Sequence, residues 1–121
     1  MRNVISMRAA AAFVAVLALP AFAADMTIKG EVVDIACATD TSRKDGGRGD
    51  AHAACAMVCA KKGQPIGVLT ADAIYTVIGD YTANKNAKLL DFVAKKVIVT
   101  GEVTEKDGVK TINVKSIKIA S

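Results

Sequence analysis

The sequence predicts an all-β fold with inserted helices: a small barrel of five strands, with helices filling two of the connections. Three observations carry that expectation. Five segments, 26–35, 66–70, 73–79, 96–104 and 109–119, are β-branched or alternate apolar with polar residues. Two other stretches, 51–62 and 84–95, have the composition or spacing of helices. Turn signals at Ala71-Asp72 and at Lys106-Asp107-Gly108 join neighbouring strands as hairpins.

The elements follow in order. In strand 1, residues 26–35, Gly30 interrupts the alternation, which predicts a bulge or a close backbone approach. Residues 39–49 (TDTSRKDGGRG) are polar and Gly-rich and read as a loop. Asp50 stands where it can cap a helix over 51–62, which holds five alanines, ends in Lys61-Lys62 and is followed by Gly63 at the C′ position. Pro65 then breaks the chain before strand 2. Leu89, Leu90 and Val93 share one face of the expected helix 84–95, with Lys85, Lys88 and Lys96 off it. In the last strand the apolar phase slips between Val114 and Ile117, which predicts another bulge or a sharp bend.

Strand, Cys/His-bearing helix, strand, strand, helix, strand, strand is an order that resembles the OB-fold, a five-stranded Greek-key barrel. The expected architecture is therefore an OB-like Greek-key barrel with a Cys/His-bearing helix between strands 1 and 2 and a helix between strands 3 and 4. One fold hosts many functions, so the resemblance predicts shape and not activity.

A chain of 121 residues has room for one domain. Its first residues read as a cleaved signal peptide, 1–23. Arg2 and Arg8 precede an apolar run from Ala9 to Leu19, too short to span a bilayer, and Ala21-Phe22-Ala23 supplies the small residues of a cleavage site. The mature domain is then 24–121, located in the periplasm or secreted, with no stable membrane insertion. Losing Arg2 and Arg8 lowers the formal net charge from +4 to +2, spread among both signs. That balance, with 4% aromatics and no Trp, argues against nucleic acid as a partner. The 52% hydrophobic and 23% charged composition excludes a disordered chain. No paired carboxylates and no Ser/His/Asp arrangement can be assembled, so no enzyme is predicted.

The chemistry concentrates in the three Cys and the only His. At about 100° per residue, His52, Cys55 and Cys59 fall within about 60° of one helical face. Cys37 follows directly from strand 1, and the insertion can fold back onto it. Cys37, His52, Cys55 and Cys59 form a Cys3His set, a standard tetrahedral environment for zinc, and thiolates with an imidazole also suit copper as Cu(I) or an iron–sulfur cluster. Asp34, near the end of strand 1, is a candidate to stand behind His52 as its hydrogen-bond partner.

A different reading follows from export. Thiols outside the cytoplasm tend to oxidise, and Cys37 paired with Cys55 or Cys59 would staple the loop and leave one thiol over. The protein would then be a disulfide-stapled interaction module facing an envelope protein, with no metal and no catalysis.

The segments GEVVDIAC (30–37) and HAACAMVCAKKGQPIGVL (52–69) resemble a pattern in small exported bacterial barrel proteins. There a strand ends at a Cys, and an H-x-x-C-A-x-x-x-C-like helix leads into G-x-P-x-G. The resemblance implies that Cys37, His52, Cys55, Cys59, Gly63, Pro65 and Gly67 act as one unit.

Overall fold

A computed structural model describes residues 22–120. The segment read as a signal peptide lies outside the described residues except for Phe22 and Ala23, which open the first strand.

Five strands close into a barrel in the order β1-β2-β3-β5-β4, with β4 returning to β1. They are β1 (Phe22–Asp34), β2 (Ile66–Leu69), β3 (Ile74–Ile78), β4 (Lys96–Lys106) and β5 (Val109–Ile119). The β3–β5 pairing is parallel and the others are antiparallel. This is the expected OB-like barrel.

Closure depends on β1 changing partners. Phe22 to Glu31 pair with β4, and Glu31 to Asp34 pair with β2. The exchange occurs beside Gly30, where a Cβ atom would lie 2.3 Å from the Leu69 carbonyl oxygen. No side chain fits there, which explains the interrupted alternation. Opposite, the register shifts between Thr100 and Gly101, so that Lys115 is the extra residue of a bulge in β5. The β4–β5 turn takes Asp107 at φ 53° and Gly108 at φ 78°, as a tight hairpin requires.

The barrel interior is filled by small aliphatic side chains, among them Val32, Ile66, Val68, Val97 and Ile112, all fully buried. Met57, Tyr75 and Tyr81 pack against this core from its margins.

The helices insert where expected, with two corrections. A short helix α1 (Ile35–Ala38) follows β1 directly, and α2 (Ala53–Lys61) carries Cys55 and Cys59. Asp50 does not cap α2. It opens a single 3₁₀ turn, Asp50–His52, whose N-cap residue Gly49 makes no side-chain bond, and His52 precedes α2. The helix expected over 84–95 is not a continuous α-helix. Asn84, Lys85 and Asn86 take left-handed φ of 53°, 55° and 60°, and a 3₁₀ helix then runs over Ala87–Phe92. The buried Asn86 amide explains the break: its Nδ2 donates to the carbonyls of Ala60 (3.1 Å) and Gln64 (2.9 Å). A right-handed helix gives up this tether between the β3–β4 connection and the end of α2. Leu89 and Val93 still reach the core, as their spacing predicted. Among the described residues no helix is long and apolar enough to cross a membrane.

Candidate metal centre

The site lies at the end of the barrel where β1 finishes and β2 begins. Val32 and Val33 are buried, and Asp34, the last residue of β1, is 1% exposed. Its Oδ2 accepts the Cys37 backbone N–H at 3.3 Å and so caps α1. The Ile35 N–H donates to the Pro65 carbonyl at 3.1 Å, pinning α1 beside the entry to β2. Those contacts fix Cys37.

Loop 39–49 folds over α1. Arg43 grips Asp45 with two parallel N–H···O bonds, each 3.1 Å. Asp45 Oδ1 also accepts the Gly47 N–H at 2.8 Å, and the Gly49 N–H donates to Glu31 of β1 at 2.9 Å. The loop is thus held to itself and to the barrel.

Helix α2 lies on the barrel through Ala56 and Ala60, whose small side chains are buried and allow close approach. It ends in a Schellman arrangement: Gly63 takes φ 81°, the Gln64 N–H bonds the Cys59 carbonyl, and the Gly63 N–H bonds that of Ala60. The Asn86 tether holds the same end. Cys55 and Cys59 are therefore presented by a helix fixed at its C-terminus and along its buried face.

His52 is 1% exposed and lies between two carboxylates. Its Nε2 is 2.8 Å from Asp34 Oδ1, and its Nδ1 is 3.2 Å from Asp45 Oδ2 and 3.0 Å from Arg43 Nη2. Every buried side-chain polar atom among the described residues has a partner.

The sulfur atoms converge on this buried pair. One ligand atom each from Cys37, His52 and Cys55 lie within 4.8 Å of one another, and so do those of Asp34, Cys37 and Cys59. Cys37 belongs to both groups, so the two share one thiol. Cys37 and Cys59 are half-buried, Cys55 is exposed, and all three are free thiols.

Comparison with protein-family models, curated proteins and solved structures gave no match. What the site can do is therefore read from its own chemistry.

The electrostatics are those of thiols holding protons beside a carboxylate. The hydrogen bond to Asp34 is the main cause that pushes the Cys37 thiol up to about 12, with burial adding to it, while Arg43 acts in the opposite sense. Cys59 is pushed up by burial first and by Asp34 second. Burial pushes the Asp34 carboxyl up, but hydrogen bonds from Cys37 and His52 outweigh it and hold the group below its usual range. The Arg43 fork, with help from the Gly47 N–H, holds Asp45 well below the carboxylate range. A thiophilic cation entering the centre would replace the thiol protons, because metals bind the thiolate.

Of the sequence-derived residues, His52 and Cys55 group with Cys37, Cys59 groups with Cys37 and Asp34, and Asp34 contacts His52 directly. Arg43 and Asp45 escaped sequence reasoning. They sit in a polar loop with no periodicity, and only an Arg-x-Asp spacing before paired glycines hints at a structured turn.

Proposed function

We propose that this protein binds one soft transition-metal ion, zinc or copper, through the thiolates of Cys37, Cys55 and Cys59 and one donor from the Asp34–His52 pair. The observation that carries the reading is the shared position of Cys37 in two groups of ligand atoms, each within 4.8 Å. Three thiols, a buried carboxylate and the chain's only imidazole on one centre make a donor set of the kind zinc and Cu(I) take.

Cys55 is exposed while Asp34 and His52 are buried. A site with one donor at the surface suits an ion that is handed on or taken up by ligand exchange. The signal-like N-terminus supports an exported location, so the metal is handled in the periplasm or outside the cell.

The test is the native mass of mature protein purified from the periplasm without chelator or reductant. The expected result is one metal adduct that is lost on denaturation, leaving three alkylatable thiols. Cys59→Ser should abolish the adduct. A metal-free mass about 2 Da light, from two hydrogens lost in a single disulfide, with one alkylatable thiol, would sink the metal reading. It would point instead to the disulfide-stapled module.

A further inference from the structure

We infer that the Asp34 carboxylate ligates the metal beside Cys37 and Cys59, that His52 positions it without touching the metal, and that this thiolate–carboxylate set selects zinc over Cu(I). This rests on the metal-binding reading above and goes beyond it by choosing the donor and the ion.

The argument counts lone pairs. A carboxylate offers about four acceptor sites on its two oxygens, whereas an imidazole offers one position on each of two nitrogens. Asp34 spends one site on the Cys37 N–H, one on His52 Nε2 and one on the Cys37 thiol. It keeps acceptor capacity and lies within 4.8 Å of the Cys37 and Cys59 sulfurs. His52 has nothing to spare. Asp34 accepts hydrogen bonds as a carboxylate, so Nε2 carries the proton of the 2.8 Å bond and has no free lone pair. Nδ1 either donates to Asp45 at 3.2 Å or accepts from Arg43 at 3.0 Å, and it is occupied either way. To ligate, His52 must break one of these bonds in a site it fills at 1% exposure. To ligate, Asp34 gives up only the hydrogen bond from the Cys37 thiol, whose proton leaves in any case when that thiolate binds the metal.

The same geometry gives His52 its role. A ligating group is usually oriented by a hydrogen bond from behind, most familiarly a carboxylate behind a histidine. Here the order is reversed. Asp45 and Arg43 hold His52, His52 holds Asp34, and Asp34 faces the sulfurs. The donor type then discriminates between ions. Zinc accepts Asp oxygen beside Cys sulfur, whereas Cu(I) is chosen by soft sulfur donors.

Because the chain has one His, the imidazole of ¹⁵N-His-labelled protein gives a single set of NMR signals. The measurement is made on reduced wild-type protein with and without one equivalent of Zn²⁺. The expected spectrum keeps a protonated Nε2 after zinc binds, and neither nitrogen takes the shift of a metal-bound imidazole. Asp34→Asn should weaken Zn²⁺ binding by more than about tenfold and Cu(I) binding far less. His52→Gln should keep one Zn²⁺ per chain and weaken it about 10–100-fold. With Co²⁺ as the probe, that variant should retain the thiolate-to-metal absorption of the wild type. A metal-bound imidazole nitrogen in the zinc form, or equal loss of Zn²⁺ and Cu(I) in Asp34→Asn, overturns the inference and leaves the metal site standing. Failure of wild-type protein to bind Zn²⁺, Co²⁺ or Cu(I) overturns both.

Discussion

Gly46 and Gly47 permit an internally controlled test of how loop 39–49 holds the Cys37 end of the site. Their φ values are almost the same, +69° and +67°, so replacing either with Ala pays a similar conformational cost of about 1–2 kcal/mol. Their surroundings differ. A Cβ on Gly46 would meet only the flexible Arg48 side chain, at 3.4 Å. A Cβ on Gly47 would lie 2.2 Å from the Cys37 carbonyl oxygen and 2.5 Å from the Ala38 nitrogen. Neither backbone atom can swing aside, so α1 or the loop must move by about 1 Å, and overpacking of that kind costs about a further 1–3 kcal/mol. Gly47→Ala should therefore melt on the order of 10 °C below Gly46→Ala, since a domain of this size loses about 4–8 °C per kcal/mol. The assay is thermal and urea unfolding of the reduced, metal-free proteins, with zinc affinity measured on both. Gly47→Ala should also bind zinc more weakly, because Cys37 moves with its carbonyl. Equal melting temperatures would refute the packing of the loop against α1.

Three further outcomes follow from the same geometry. In reduced, metal-free protein iodoacetamide should modify the exposed Cys55 first and Cys37 last, and the Cys37 rate should still be climbing above pH 10, because its thiol is pushed up to about 12; peptide mapping at timed intervals reads the order, and a fast Cys37 at pH 8 would contradict it. Metal-free stability should fall at both ends of the pH scale: Asp34 and Asp45 titrate below their ordinary 3.8, so their contribution is present above that value and lost as pH drops through the lowered range, while Cys37 titrates above its ordinary 9.0, so its contribution is present below 9.0 and lost as pH rises toward 12. Urea midpoints across pH 2–11 test both limbs. Asn86→Ala should cost about 2–4 kcal/mol, from two lost hydrogen bonds to carbonyls and from Ala at φ 60°, whereas Asn86→Gly should cost at least about 1 kcal/mol less because it keeps the left-handed backbone; an Ala variant as stable as the Gly variant would show that the left-handed turn is dispensable.

Periodicity and turn chemistry in the sequence place all five strands, because a half-buried barrel strand must alternate and Asp107-Gly108 must turn. The phase slip between Val114 and Ile117 leaves a bulge or a sharp bend open, and the register shift between Thr100 and Gly101 shows the bulge. Periodicity and turn chemistry fail over 84–95. The apolar face of Leu89 and Val93 is real, but backbone conformation there is set by Asn86 reaching 22 and 26 positions back along the chain. A local pattern cannot contain a contact of that range.

The candidate site divides the same way. Cys55 and Cys59 share a face of α2 because helical geometry places residues four apart together, which is arithmetic on the sequence, whereas His52 stands just before α2 in a 3₁₀ turn that the arithmetic does not contain. Nor does it contain the burial of Asp34, because the end of a strand is ordinarily wet, and only the packing of His52 onto it removes water. Arg43 and Asp45 enter through a loop whose conformation rests on Gly47 meeting Cys37. Their arrival alters the chemistry expected from composition. Tallying residue types makes His52 the natural fourth ligand beside three cysteines. Its hydrogen bonds to Asp34, Asp45 and Arg43 occupy both ring nitrogens, and on the inference drawn above the residue expected to stand behind it becomes the one facing the sulfurs. The residue types at a site are legible in sequence, but their roles depend on which polar atoms are already spoken for.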